Sequence, residues 1–222
     1  MGDVFGGGTM IPILVIFDCD GVLVDTETVT DGVLANYFST HGAQITRAQV
    51  HDLFTGGTME GAGQEAAKRG AILPDTWLNE IYVAIFKELG EGVDVFPGLI
   101  DLLDALDTQG IPYAVASNGP MAKMRISLGP SGLWDRLTGR IYSREDYAPK
   151  PAPDMLLAAC AATGVKPCDA IMIDDTPVGT RAADAAGMPA IGFSAASDAA
   201  KLMATGHPVA HTMAQVQKLL GL

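Results

Sequence analysis

The chain has 222 residues, 48% of them hydrophobic, enough to bury one core plus a small appended domain without disulfides or oligomerisation. A net charge of −12 argues against broad nucleic-acid binding, because such proteins concentrate Lys and Arg to displace counterions from phosphates. The longest early apolar run, residues 11–17, is too short to cross a bilayer, and Cys19, Cys160 and Cys168 form neither a zinc spacing nor a disulfide framework. The expectation is a cytoplasmic protein with no membrane contact, a monomer or weak homodimer.

Residues 1–9 carry three consecutive glycines and no periodicity, the texture of a disordered start or an artificial extension. From Ile11 the run I-P-I-L-V-I-F is continuously apolar and rich in β-branched residues, which predicts a strand buried on both faces of a parallel sheet. Over 25–92 the texture changes: Val33, Leu34, Tyr37 and Phe38, then Trp77, Ile81, Ile85 and Leu89, recur at helical spacing. This predicts an inserted helical cap domain, punctuated by turns at Gly56, Gly57, Gly61, Gly63 and Gly70 and closed by a return linker over 93–98. Strands are predicted again over 111–117, 139–142, 170–174 and 189–193, with helices over 155–162 and 178–186 and a closing amphipathic helix over 212–220. Strand–helix alternation of this kind predicts an α/β protein: a doubly wound, Rossmann-like parallel sheet core from residues 10–24 and 93–222, with the cap inserted.

Three of these strands end in polar residues suited to chemistry. Asp18 and Asp20 follow the first, and extended alternation would point both carboxylates the same way, although D-x-D-G also reads as a turn. Asp174-Asp175 close a later strand, the arrangement expected if two strand ends grip one Mg²⁺, a hard cation that takes a few carboxylates and completes its shell with other oxygens. Ser117-Asn118-Gly119 offers a hydroxyl and an amide, or an ordinary turn. Lys150, in A-P-K-P-A-P-D, is held by stiff flanking prolines, and the scarcity of other cations favours phosphate binding over solvation. The four histidines, His41, His51, His207 and His211, have no ligand spacing, and Cys19 reads as packing.

In this order the four segments resemble the signature motifs of the haloacid dehalogenase superfamily, in the subgroup with a helical cap after the first motif. D-C-D-G-V-L-V-D-T and D-D-T-P-V-G-T-R-A-A-D-A-A-G-M carry most of the likeness. The resemblance implies an Mg²⁺-dependent phosphatase acting on a small phosphorylated metabolite. Asp18 would be the nucleophile and Asp20 the general acid and base, and Ser117 and Asn118 would bind the phosphoryl group. Lys150 would steady nucleophile and phosphate. Asp18, Asp20 and Asp175 would form the metal site, with Asp174 acting through water.

Thr55, Gly56, Gly57 and Thr58 occupy the family's substrate-specificity loop, where a structural helix–helix turn is equally compatible with the glycines. No Lys or Arg lies between Arg47 and Lys68, which weakens a substrate with a second anion bound there. Asp20 opposes a dehalogenase, and the missing cap lysine opposes a phosphonatase. Thr30 and T-G-G-T stand where a β-phosphoglucomutase-like isomerase would carry histidine and arginine. That isomerase stays the main rival, ahead of a catalytically idle binding module. The S-N-G-P-M-A-K-M stretch looks like the branch of sugar-phosphate phosphatases such as 6-phosphogluconate phosphatase.

Overall fold

Apolar runs with no polar alternation make strands that must be covered on both faces. In the structure, a computed structural model that describes residues 12–54, 58–195 and 199–222, they become β1 (Leu14–Phe17), β2 (Tyr113–Ser117), β3 (Ile141–Ser143), β4 (Ala170–Asp174), β5 (Ala190–Phe193) and β6 (Val209–Ala210). All pair in parallel, in the order β3-β2-β1-β4-β5-β6. The doubly wound α/β class is therefore as predicted. β6, only two residues long, has no periodicity to read and was not anticipated.

The helices are α1 (Thr26–Thr40), α2 (Arg47–Phe54), α3 (Met59–Lys68), α4 (Trp77–Glu91), α5 (Leu99–Gln109), α6 (Met121–Leu128), α7 (Leu133–Leu137), α8 (Asp154–Thr163), α9 (Pro177–Ala186), α10 (Ala200–Met203) and α11 (Met213–Leu220). None of the described helices is long and apolar enough to cross a membrane. The chain divides into two compact units, Asp25–Val93 with α1 to α4, and a second holding the sheet and α5 to α11. The glycine-rich start up to residue 11 lies outside the described residues.

In the sheet unit, strand alternation sorts the core. Leu14 and Ile16 of β1, Ala114 and Ala116 of β2, and Ala170 and Met172 of β4 pack with Met155, Leu156 and Ala159 of α8 and Ala182 and Ala183 of α9. The intervening Val15, Phe17, Val115, Ile171 and Ile173 are buried as well. Each large side chain removed from water contributes about 1.5–3 kcal/mol, so the strands are the best-anchored backbone in the molecule. Whatever projects from their ends is held on a stiff base.

In the helical unit, Leu34 and Phe38 of α1 and Ile81, Ile85 and Leu89 of α4 are buried, at the three-and-four spacing their positions imply. Two expected turns are absent: Gly61 and Gly63 lie inside α3. A Cβ at Gly63 would overlap the Trp77 indole, so glycine here permits close packing of α3 against the start of α4. His51, left without a role by its sequence context, bonds the buried Asp31 carboxylate at 2.9 Å.

Candidate active site

Strands β1 and β4 are neighbours, and the winding reverses between them: β2 and β3 lie beyond β1, while β5 and β6 lie beyond β4. Such a switch opens a crevice at the carboxyl ends of the two strands. Asp18 follows β1, Asp174 closes β4, and Asp175 comes next. One carboxylate oxygen from each of the three lies within 4.8 Å of the other two.

Asp174 keeps the alternation of Ala170 and Met172, so its side chain turns to the α9 side of the sheet. It has no exposed surface. Its carboxylate rests on Gly179 of α9, where any Cβ would overlap it. It accepts from the Thr176 backbone N–H at 2.9 Å and the Thr176 hydroxyl at 2.6 Å. Thr176 also caps α9 by accepting from the Gly179 N–H at 3.3 Å. The D-D-T-P-V-G segment is thus one device: the cap that starts the helix also fixes the acid.

Lys150 is 5% exposed, and its ammonium lies 2.6 Å from Asp174 Oδ2 and 3.1 Å from Asp18 Oδ1. Asp18 Oδ1 also accepts the Cys19 N–H at 2.7 Å. Fully ionised, three carboxylates against this one ammonium carry an excess of two negative charges in a largely buried place. Charges so placed are costly without compensation, and an all-oxygen donor set suits a hard divalent cation, which Asp18, Asp174 and Asp175 would hold.

Burial pushes the Asp18 carboxyl up to about 7; Lys150 opposes this, and Asp174 and Asp20 add to it. Burial alone would pull the Lys150 ammonium down, but Asp174 and Asp18 reverse that and leave it raised. An acid raised from 3.8 to about 7 holds a proton that the unfolded chain releases across that window. The metal-free protein therefore loses stability as pH climbs through the window and regains none above it. A divalent cation competes for the ionised form, so added Mg²⁺ should raise the melting temperature more at about pH 8 than at about pH 5. Equal shifts at both values would place the cation elsewhere.

Asp174, expected to act through water, has its carboxylate in the cluster itself, and two further residues are placed differently from the expectation. Alternation carries only as far as the strand, which ends at Phe17. The backbone then turns, with Leu23 and Val24 N–H groups donating to the Cys19 carbonyl and Gly21 at a φ of +76°. The Asp20 carboxylate is consequently not one of the three that gather; it sits 2.7 Å from the Lys123 ammonium. Gly21 lets the Asp175 carboxylate lie against the turn, since a Cβ there would overlap it. The second is Asn118, whose side-chain amide donates to the Lys150 carbonyl at 3.0 Å and accepts the Lys150 N–H at 2.8 Å. This two-point clamp ties the end of β2 to the lysine loop, so the side chain positions Lys150 rather than presenting its amide to a phosphate.

Ser117 is buried at the end of β2, and its hydroxyl accepts the Gly119 N–H at 3.0 Å. Of the four cap-loop positions, Thr55, Gly56 and Gly57 lie outside the described residues. Thr58 caps α3, accepting the Gly61 N–H at 3.1 Å. Sequence reasoning missed Lys123, although its place in the helix directly after S-N-G was a usable signal: first-turn side chains tilt back toward the preceding strand end.

A family model described as haloacid dehalogenase-like hydrolase matches residues 15–193. Over 184 residues the chain is 29% identical to the 6-phosphogluconate phosphatase of Escherichia coli, covering 82% of each protein. It is 30% identical over 193 residues to the chloroplastic protein SUPPRESSOR OF QUENCHING 1 of Arabidopsis thaliana, spanning 80% of this chain but only 17% of that one. Among solved structures, a conserved haloacid dehalogenase-like protein from Agrobacterium tumefaciens superposes with a TM-score of 0.82 at 28% identity, covering 94% of this chain and 97% of the other.

Proposed function

The chain belongs to the haloacid dehalogenase-like hydrolase family, and from that premise we propose that it is an Mg²⁺-dependent phosphatase releasing phosphate from a small phosphorylated metabolite, a sugar phosphate by preference. The observation that carries the reading is the meeting of Asp18, Asp174 and Asp175 with the Lys150 ammonium at the ends of β1 and β4. The preference for a sugar phosphate is supported by relatives named 6-phosphogluconate phosphatase and hexitol phosphatase A in Escherichia coli, at 29% and 28% identity.

Asp18 is the nucleophile. Lys150 holds its carboxylate in place and offsets part of its charge, while the neighbouring Cys19 N–H fixes the rotamer through Oδ1. Asp20, outside the three-carboxylate cluster, is the general acid for the leaving oxygen and then the base for water. Ser117 lies at the same sheet edge and offers its hydroxyl to the transferring group. When bound, the cation held by Asp18, Asp174 and Asp175 neutralises charge on the phosphoryl oxygens. The helical unit, residues 25–93, corresponds to the inserted cap domain of this family. A binding module without chemistry has no use for so costly a buried charge cluster.

Phosphate release should be measured across p-nitrophenyl phosphate, hexose and hexitol phosphates, 6-phosphogluconate, phosphoglycolate and nucleotides, with Mg²⁺ and with a chelator. Turnover of at least one alkyl phosphate, abolished by the chelator and restored by Mg²⁺, is expected. A metal-loaded sample inert toward the whole panel rules the proposal out.

A further inference from the structure

On the side of β1 away from β4, the fold sets another ammonium against another acid. Helix α6 starts right after the turn at residues 117–119, and Lys123 lies in its first turn, so its side chain returns over the carboxyl end of β2. Its Nζ is 2.7 Å from Asp20 Oδ2, with 22% and 26% of the two side chains exposed. A Cβ on Gly119 would lie 3.6 Å from that same Asp20 oxygen and 3.3 Å from Ser117 Oγ. Asp20 therefore sits beside the Ser117 turn while Asp18, Asp174 and Asp175 gather with Lys150. The acids near the sheet edge are sorted, each group with its own cation.

We propose that Lys123 is a positioning residue that acts through Asp20, fixing the direction in which its carboxyl group faces the reacting oxygen. This rests on the phosphatase reading above. In the first transfer an Asp18 oxygen bonds to phosphorus as the bond from phosphorus to the ester oxygen breaks. The Asp20 carboxyl gives its proton to that departing oxygen and is left as a carboxylate facing the Lys123 ammonium. In the second, a water oxygen bonds to phosphorus and its proton passes to Asp20. The bond from phosphorus to Asp18 then breaks and inorganic phosphate leaves. A partly exposed ion pair adds little to folding, so the value of this one lies in where it holds the acid.

The role separates by leaving group. An alkoxide needs the Asp20 proton as it departs, whereas p-nitrophenolate is stable without one, and kcat/KM reports the first transfer. In Lys123→Met, kcat/KM should fall about 30-fold or more for the alkyl phosphate turned over fastest in the panel, and about threefold or less for p-nitrophenyl phosphate. Lys123→Arg should restore most of the alkyl activity, and Lys123→Met should add nothing in an Asp20→Asn background. Equal losses on both substrates, with or without a lower melting temperature, would overturn the proposal in favour of a structural or phosphate-binding lysine. Losses that follow the charge of the leaving group rather than its basicity would overturn it in favour of direct substrate contact. A wild type that turns over no alkyl phosphate removes the phosphatase reading itself, and an active wild type with an unchanged substrate ratio in Lys123→Met removes only this role.

Discussion

Lys150→Met is expected to cost about 3–5 kcal/mol of folding stability and to remove turnover together, because it leaves the other side of a buried ion pair uncompensated. Methionine fills much the same volume, so packing loss is small and the effect isolates the charge. Asp174 has no exposed surface and Asp18 only 8%, so water cannot replace the ammonium. Asp174 would keep its bonds from Thr176 but face Asp18 and Asp175 with no cation between them. For a chain of this size each kcal/mol moves the melting temperature by about 2–4 °C, which puts the expected drop near 10 °C in metal-free buffer. Mg²⁺ should recover part of it, since a bound cation offsets the same carboxylates. An unchanged melting temperature would mean that the lysine is not paired with ions in the folded protein.

The large features of this molecule are written in its local patterns. Continuous apolar runs marked β1, β2, β4 and β5 because strands buried on both faces have nowhere to put polar residues. The acids at 18, 174 and 175 were visible because charged residues abruptly end those runs. What stayed hidden depends on contacts between segments remote in sequence. Asn118 reads as part of a turn, and only the approach of the lysine loop, 32 residues later, turns its amide into a clamp. Asp20 was misplaced because strand alternation was extended past the point where the backbone leaves the sheet. Gly61 and Gly63 looked like loop residues; the Trp77 ring that makes Gly63 useful lies in another helix. Lys123 faces Asp20 across 103 residues of sequence; its place in the first turn after S-N-G points it at the sheet edge, but its partner is not encoded locally.

Asp18→Asn carries the other large effect: turnover should fall by about 10⁴-fold or more, because an amide oxygen is a poor nucleophile and the covalent route closes. The fold should survive. Burial already pushes the Asp18 carboxyl up to about 7, so removing its charge relieves a strain on the metal-free protein. Its melting temperature at about pH 8 should stay level or rise. Loss of both activity and folding would point to a structural carboxylate; loss of activity alone points to chemistry at this atom.

The most direct measurement is to acid-quench the Mg²⁺-loaded enzyme during turnover of p-nitrophenyl phosphate and locate the phosphoryl group by peptide mass spectrometry. It should be found on the peptide bearing Asp18 and be absent from the same peptide of Asp18→Asn. Steady hydrolysis with no phosphoryl group on Asp18, undiminished in Asp18→Asn, would contradict the assignment of this carboxylate as the nucleophile.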